Sequence, residues 1–265
     1  MTATDPGGSV LLVHGQPGSR LVWSRVGPML AADGLDVLCL DRPGYGRACG
    51  PELNQFGNAA SMAAALDERS GAPVVVVGHS LGAGIALALA AIAPEHVRAA
   101  VLLAPAVGPA AVTRADRALG ATVLGPSLSW LACRCAGVIL GVPWLRRRVL
   151  DARVGRSDKN SREVVRRLRH SDVWRTFTTE QRYLLIDAHL LEHVLPAVTC
   201  PVVILTGRRD RVVRPRVAEA LVAGLADAAL VATDAGHLLP VDAPDAVVAA
   251  VLRAVAATTG VSPQR

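Results

Sequence analysis

The amino-acid sequence predicts an α/β fold, with a mostly parallel central sheet of about six strands flanked by helices and a helical insertion. Short runs of β-branched and apolar residues alternate with segments that have helical spacing. This alternation is typical of βαβ units. It lapses over residues 108–195, where only helical patterns occur, and then resumes. We therefore expect one core domain of residues 1–107 and 196–265, with residues 108–195 forming a helical cap.

The individual elements follow from apolar runs that glycine, proline and polar residues bound. The predicted strands, each a short run of mainly Val, Leu, Ile and Ala, are Ser9–Val13, Asp36–Leu40, Val74–Val77, Arg98–Leu103, Val202–Thr206 and Ala229–Ala232. The predicted helices of the core are Arg20–Ala32, Asn58–Arg69, Ala83–Ala93, Arg214–Leu225 and Pro244–Ala256. Each helix follows a strand, except that a polar loop separates the second strand from its helix.

Composition excludes several classes of protein. Hydrophobic residues make up 51% of the 265 residues and aromatic ones only 3%, so the core must consist mainly of Val, Leu and Ala. The net charge is +6, but the arginines concentrated around residues 146–182 have few aromatic neighbours, and nucleic-acid binding is not predicted. Five scattered cysteines without redox or zinc spacing, and an N-terminus without signal-peptide features, lead us to expect free thiols and a cytoplasmic location.

One motif is set between a predicted strand and a predicted helix. Four valines end at Gly78, and the segment Gly78-His-Ser-Leu-Gly82 leads directly into an alanine-rich run. This is G-x-S-x-G in the strand–turn–helix context that the pattern requires. The glycines permit a sharp turn that would hold the Ser80 hydroxyl above the sheet edge, near a helix N-terminus that favours negative charge. Ser80 is therefore the predicted nucleophile.

Five segments together resemble the α/β-hydrolase fold superfamily, in its serine-nucleophile branch with a helical cap. They are Val10–Gly15, Asp41–Gly46, Gly78–Gly82, Gly207–Val213 and Gly236-His237, which lie in the expected order and cover nearly the whole chain outside the insertion. The family usually begins with an antiparallel pair of strands. Only about eight residues precede the first predicted strand, so we expect those strands to be absent or vestigial and the sheet to have six strands.

A serine nucleophile needs a base that is itself oriented by an acid. The family order is Ser, then acid, then His. His237 follows the last predicted strand in a Gly-His pattern that resembles the family's histidine loop, so it is the predicted base. Asp210 matches the family's G-x-x-D loop and is the predicted acid. Asp234 is an alternative only through its closeness in sequence to His237.

The predicted oxyanion hole consists of two backbone N–H groups. Leu81 supplies one as the residue after the nucleophile, and the loop after the first strand, His14-Gly-Gln-Pro-Gly18, supplies the other. Because Pro17 has no N–H, Gln16 is the candidate donor. We expect His14 to buttress this loop and His79 to have a packing or polar-support role. The Asp41–Gly46 segment is interpreted as a structural turn.

The sequence of the insertion predicts less about function than that of the core domain. Residues 118–145 are strongly apolar, but an arginine and prolines among them argue against a transmembrane helix, so a lid over the active site is expected. Its apolar face either receives a lipophilic substrate or packs on the core domain. The arginines at 146–148 and within 162–169 make its second half basic. A solvated face explains these arginines, and an anionic membrane surface, an acidic carrier protein or an anionic substrate is the alternative.

These features together predict a serine hydrolase that cleaves carboxylic esters or related acyl substrates through an acyl-enzyme. A C–C bond hydrolase, a thioesterase or a perhydrolase on the same fold is the alternative. A serine in the elbow argues against epoxide hydrolases and dehalogenases, which resemble the chain elsewhere but carry Asp at that position. The non-enzymatic hypothesis is a catalytically silent protein that binds a small ligand. No cofactor and no metal site is predicted.

Overall fold

The central sheet has six strands, all parallel, in the order β2-β1-β3-β4-β5-β6. The structure is a computed structural model that describes residues 8–48, 50–69, 72–142, 144, 165–169 and 173–259. The strands are β1 (Ser9–Val13), β2 (Asp36–Leu40), β3 (Val74–His79), β4 (Val97–Leu103), β5 (Val202–Gly207) and β6 (Ala228–Thr233). The predicted α/β fold and its six-stranded sheet are thereby confirmed, with strand ends within two residues of the prediction.

Helices flank the sheet on both faces. In chain order they are α1 (Val26–Ala32), α2 (Gln55–Arg69), α3 (Leu81–Ile92), α4 (Arg114–Gly120), α5 (Gly125–Gly141), α6 (Val173–Val194), α7 (Pro215–Ala223), α8 (Leu239–Asp242) and α9 (Pro244–Thr259). The predicted helix over residues 20–32 is wrong in one respect, because a 3₁₀ turn at Arg20–Trp23 precedes α1. Pro28 explains the break, since proline is tolerated in the first turn of α1 but not inside a longer helix.

Side chains that alternate along the strands divide the core into two layers. Leu11 and Val13 of β1 point into the layer that α2, α3 and α7 cover, whereas Val10 and Leu12 point into the layer beneath α1 and α9. Both faces of the central strands are therefore buried, which is why they appear in sequence as continuous apolar runs. Burying both faces at about 25 cal/mol per Å² of apolar surface is the main stabilising contribution to such a sheet.

The helical insertion between β4 and β5 packs on the core through its last helix. Leu184 and Leu191 of α6 belong to the same apolar cluster as α2 and α3. A second, smaller cluster joins α5 to residues 165–169 and α6 through Cys133, Leu168 and Phe177. No strand occurs in the part of the insertion that the structure describes. The arginines at 146–148, which led to the prediction of a basic second half of the insertion, lie outside the described residues.

Among the described residues, no single helix is long and apolar enough to cross a membrane. The pair α4 and α5, bent by 116° at the break between them, passes this test together on length and composition only.

Because all strands are parallel, their carboxyl ends meet at one edge of the sheet, which is where open α/β sheets bind ligands. The loop after β1 contains Gln16, and the loop after β3 contains Ser80. Asp210 follows β5 and His237 follows β6. The topology thus collects the predicted site residues, which are distant in sequence, at one edge.

Candidate active site

Ser80 stands at a sharp turn between β3 and α3. Its backbone has φ = 55° and ψ = −119°, a conformation that is strained for any residue with a side chain. The strain is held by close packing: a Cβ at Gly78 would collide with the carbonyl of Gly82, and a Cβ at Gly82 would collide with that of Val13. The backbone N–H of Ser80 also donates to Leu103 O at 2.9 Å. Both glycines of the motif are therefore sterically required.

The Ser80 hydroxyl is in contact with the predicted base. His237 Nε2 lies 3.2 Å from Ser80 Oγ, and His237 Nδ1 lies 2.8 Å from Asp210 Oδ2. The three side chains form one chain of hydrogen bonds although 157 residues separate the serine from the histidine. Asp210 and Ser80 are buried, and the His237 side chain is only slightly exposed.

The surroundings of Asp210 fix its carboxylate. Oδ1 accepts the backbone N–H groups of Val212, at 2.8 Å, and of Val213, at 2.9 Å, which leaves Oδ2 facing His237. An ionised carboxylate accepts only, so His237 Nδ1 carries the proton and Nε2 is free to accept from the serine hydroxyl. Asp234 instead has a side chain 75% exposed and pairs with Arg209 at 3.0 Å.

Both predicted backbone donors belong to segments that adjoin the nucleophile. Leu81 is the first residue of α3, where a backbone N–H has no partner within its helix. The loop after β1 approaches Ser80 closely, since a Cβ at Gly15 would lie 3.0 Å from Ser80 Cβ and 2.9 Å from His79 O. Gln16 follows Gly15 directly.

Within the described residues, no group of three or more His, Cys, Asp or Glu side chains could hold a metal ion.

His79 and His14 are buried histidines with structural contacts. His79 Nε2 donates to the carbonyl of His237 at 2.9 Å, so it supports the loop that carries the base. Burial, and then the nearby His237, lower the pKa of His79 to about 3. His14 Nε2 accepts the backbone N–H of Arg42 at 3.0 Å, and its Nδ1 donates to Gly15 O at 2.8 Å. Burial, together with the charge of Arg42, lowers the pKa of His14 well below its ordinary value.

Sequence reasoning missed a buried polar cluster beside this loop. Arg42, in the segment interpreted as a structural turn, forms an ion pair with Glu180 of α6, and Tyr45 Oη donates to Glu180 Oε2 at 2.7 Å. All three side chains are almost completely buried. Burial opposes the charge of Arg42, but the Glu180 carboxylate outweighs that effect and raises the guanidinium pKa above its ordinary value. Burial and the charge of Glu180 raise the pKa of the Tyr45 phenol, which therefore remains a donor.

A cavity of about 450 Å³ opens next to the loop after β1. Residues of that loop, of the turn after β2 and of the insertion line it, among them Pro17, Tyr45, Arg167 and Thr176. Ser80 and His237 do not line this cavity, so the hydrogen-bonded side chains at the carboxyl edge of the sheet, rather than the cavity, define the candidate site.

Comparison with known proteins gives the family. A family model described as the alpha/beta hydrolase fold matches residues 8–244, which is most of the chain. The chain belongs to the α/β-hydrolase fold family. As an example among solved structures, this α/β hydrolase resembles a provisionally assigned epoxide hydrolase from Pseudomonas aeruginosa, with a TM-score of 0.76 and 24% identity. The likeness covers 96% of this chain and 90% of the other, and at that identity it is a likeness of fold.

Two curated relatives match part of this α/β hydrolase. Lipase LipV of Mycobacterium tuberculosis is 38% identical over 99 residues, which is 37% of each chain. A monoacylglycerol lipase of Mycolicibacterium smegmatis is 35% identical over 111 residues, or 39% of this chain and 40% of that protein. The chain thus spans well under half the length of the curated relatives that it matches.

Proposed function

We propose that this α/β hydrolase is a serine hydrolase that cleaves carboxylic esters through an acyl-enzyme. The observation that carries the proposal is the hydrogen-bonded chain from Ser80 Oγ through His237 to Asp210, which begins on the strained turn after β3. A nucleophile, a base and an orienting acid in that arrangement are what acyl transfer requires.

In the proposed reaction, Ser80 Oγ attacks the ester carbonyl carbon while His237 Nε2 takes the hydroxyl proton. His237 then gives that proton to the leaving alcohol as the C–O bond breaks, and the acyl group stays on Ser80. Water, deprotonated by His237, then attacks the acyl carbon, and His237 returns the proton to Ser80 Oγ as the bond between the acyl carbon and Oγ breaks and the carboxylic acid leaves. Asp210 holds the imidazole in the required tautomer and stabilises the imidazolium. The backbone N–H groups of Gln16 and Leu81 are the proposed donors to the oxyanion.

The names of the relatives support a lipophilic acyl substrate, since two of them are called lipases. The proposed role of residues 108–195 is that of a cap, and the contacts between α6 and the loop after β2 support it. Thioesters, C–C bonds of diketones and perhydrolysis use the same catalytic residues, so they remain alternatives. A screen of short- and long-chain p-nitrophenyl esters, acyl thioesters and diketones would separate them. A cytoplasmic location and the absence of a cofactor remain predictions.

A fluorophosphonate probe tests the proposal directly. The wild-type chain should be labelled at Ser80 and should hydrolyse p-nitrophenyl esters, and Ser80→Ala should abolish both. Ser129→Ala is the matched control, because Ser129 is also buried but lies in α5, away from the site. A protein that is folded, unlabelled and inactive on every substrate class would instead support the silent ligand-binding hypothesis. Labelling at another residue would refute the assignment of Ser80.

The outer surface of the insertion supports one of the predicted partners. Leu124, Leu128, Leu131 and Val138 recur at helical spacing along α5 and its N-terminal end, and all are exposed, Leu124 by 66% and Leu131 by 51%. The residues of α5 that are buried are small ones such as Gly125 and Gly137. We propose that this stripe, on a chain of net charge +6, docks on an anionic lipid surface. An acidic carrier protein remains an unsupported alternative.

A further inference from the structure

The buried ion pair between Arg42 and Glu180 joins two distant parts of the chain. Arg42 lies in the loop after β2, and Glu180 lies on α6 of the insertion. The exposed fraction of the side chain is 0% for Arg42 and 2% for Glu180. Buried ion pairs are weak contributors to net stability, because removing two charges from water costs about as much as their attraction returns.

Arg42 holds the loop that approaches the nucleophile. Its Nε donates to His14 O at 3.0 Å, and one terminal nitrogen donates to Gly15 O at 3.1 Å. The Gly15 carbonyl also accepts from His14 Nδ1 at 2.8 Å. Two donors from one side therefore fix the direction of the Gly15 carbonyl.

The Gly15 carbonyl and the Gln16 N–H belong to the same peptide group. That group is planar and trans, so its carbonyl and its N–H point in opposite directions, and anchoring one aims the other. Donors on the carbonyl also polarise the peptide and strengthen the opposite N–H as a donor. We infer that Arg42 and Glu180 are positioning residues that hold the Gln16 N–H in its oxyanion-binding direction. This inference rests on the proposed function.

The part of Glu180 in this arrangement is to keep the guanidinium in place. Its carboxylate contacts both terminal nitrogens of Arg42, one of which also donates to Gly15 O, and it is held in turn by Tyr45. A neutral side chain at this position leaves a buried charge unpaired, and the guanidinium then moves toward water. The Gly15 carbonyl loses a donor when that happens. The insertion thereby contributes to catalysis without touching the reacting atoms.

A second buried carboxylate on the same helix provides the matched control. Asp187 lies two turns after Glu180 on α6 and accepts Gln55 N at 2.8 Å and Asn54 Nδ2 at 3.2 Å. It fastens α6 to α2, away from the loop after β1. Removing its charge should weaken the packing of α6 as Glu180→Gln does, without releasing the Gly15 carbonyl.

The experiment compares Glu180→Gln and Asp187→Asn in the full chain, with p-nitrophenyl ester turnover and inhibition by an alkyl trifluoromethyl ketone. Ser80 Oγ adds to the carbon of that ketone, its proton passes to His237, and the ketone oxygen becomes an oxyanion. Removal of a whole oxyanion donor lowers kcat by a factor of about 10²–10³, and a misaligned donor should lower kcat by a smaller factor. For Glu180→Gln we expect kcat to fall about 10- to 100-fold, KM to change less than about twofold, and the inhibition constant to rise in parallel with the loss of kcat.

Asp187→Asn should lower the melting temperature but leave kcat and the inhibition constant within about twofold of wild type. Unchanged kcat in a folded Glu180→Gln, or equal losses in both variants, would overturn the inference. If Glu180→Gln does not fold, Tyr45→Phe takes its place, because it removes one hydrogen bond to Glu180. Its kcat should fall and its inhibition constant should rise by smaller factors. Wild-type values of both would refute the positioning role. Failure of the wild type to react with the fluorophosphonate probe would refute the proposed function instead.

Discussion

At Asp210, the two carboxylate oxygens have separate partners, and this separation controls the proton on His237. The backbone N–H groups of Val212 and Val213 both point at Oδ1, so that position must be occupied by an acceptor. An asparagine would keep its oxygen there and turn its NH₂ group toward His237 Nδ1. The imidazole would then have to accept at Nδ1 and carry its proton on Nε2, where it could no longer accept from Ser80.

Asp210→Asn should therefore lower kcat by about 10³–10⁴ while the protein stays folded. Asp234→Asn is the control, since Asp234 is closer to His237 in sequence but is exposed and paired with Arg209. Steady-state ester hydrolysis and circular dichroism measure the two effects. Equal activity of the two variants would remove Asp210 from the proposed triad.

At the scale of the element, α6 carries carboxylates on the face that it buries. Phe177, Glu180, Leu184, Asp187 and Leu191 recur at spacings of three and four residues, and all five are buried. A charged residue in a position that the helical period assigns to the core must find a partner there. This pattern was the signal in the sequence that could have indicated Glu180 as part of a buried network.

Helix α5 differs from α6 because the apolar stripe of Leu124, Leu128, Leu131 and Val138 is exposed. Leu128→Ser together with Leu131→Ser should lower binding to anionic vesicles at low salt by about tenfold or more, since two apolar side chains lose their burial in the lipid. Ile186→Ser together with Leu190→Ser is the matched control, because those residues of α6 are at least as exposed as a pair, by 61% and 48% against 37% for Leu128 and 51% for Leu131. Vesicle co-sedimentation measures both. Binding that is absent in the wild type, or equal in both double variants, would contradict the proposal.

At the scale of the whole molecule, two buried neutral histidines link stability to pH. His79 has a pKa of about 3 when folded, against 6.5 for an ordinary histidine, and the pKa of His14 is also well below that value. The titratable groups that act on the pKa of His14 are Arg42 and His79, and those that act on the pKa of His79 are His237 and Asp210. Because the unfolded chain binds more protons below pH 6.5, stability is present above that pH and is lost as the pH falls toward 3.

The free energy of unfolding should fall by up to about 1.4 kcal/mol per pH unit for each of these histidines. Denaturant titrations at pH 7, 5.5 and 4.5 measure the slope. His79→Gln should reduce it, and His193→Gln, at an exposed position of α6, should not. An unchanged slope in His79→Gln would show that His79 does not couple folding to protons.

Most of the fold and the candidate triad could be predicted because their signals are local. Each strand contains a run of mainly apolar residues, and Ser80, Asp210 and His237 each stand in a short motif at the end of a strand. Parallel topology then brings the strand ends together without further information. The pairing of Arg42 with Glu180 spans 138 residues and has no local motif, so only the folded chain reveals it. The break before α1 was missed because apolar spacing outweighed Pro28 in the prediction.

The insertion joins two neighbouring strands of the sheet, and its length can therefore change at little cost in stability. It connects β4 and β5, which are hydrogen-bonded neighbours although residues 104–201 separate them. The entropic penalty of closing a loop grows only logarithmically, by about 0.6 kcal/mol for each doubling of its length. A change in the length of the insertion should therefore have little effect on the free energy of folding. Among the described residues of the insertion, Glu180 and Asp187 make polar contacts with the core beside the apolar contacts of α6, so a foreign insertion would have to reproduce both carboxylates.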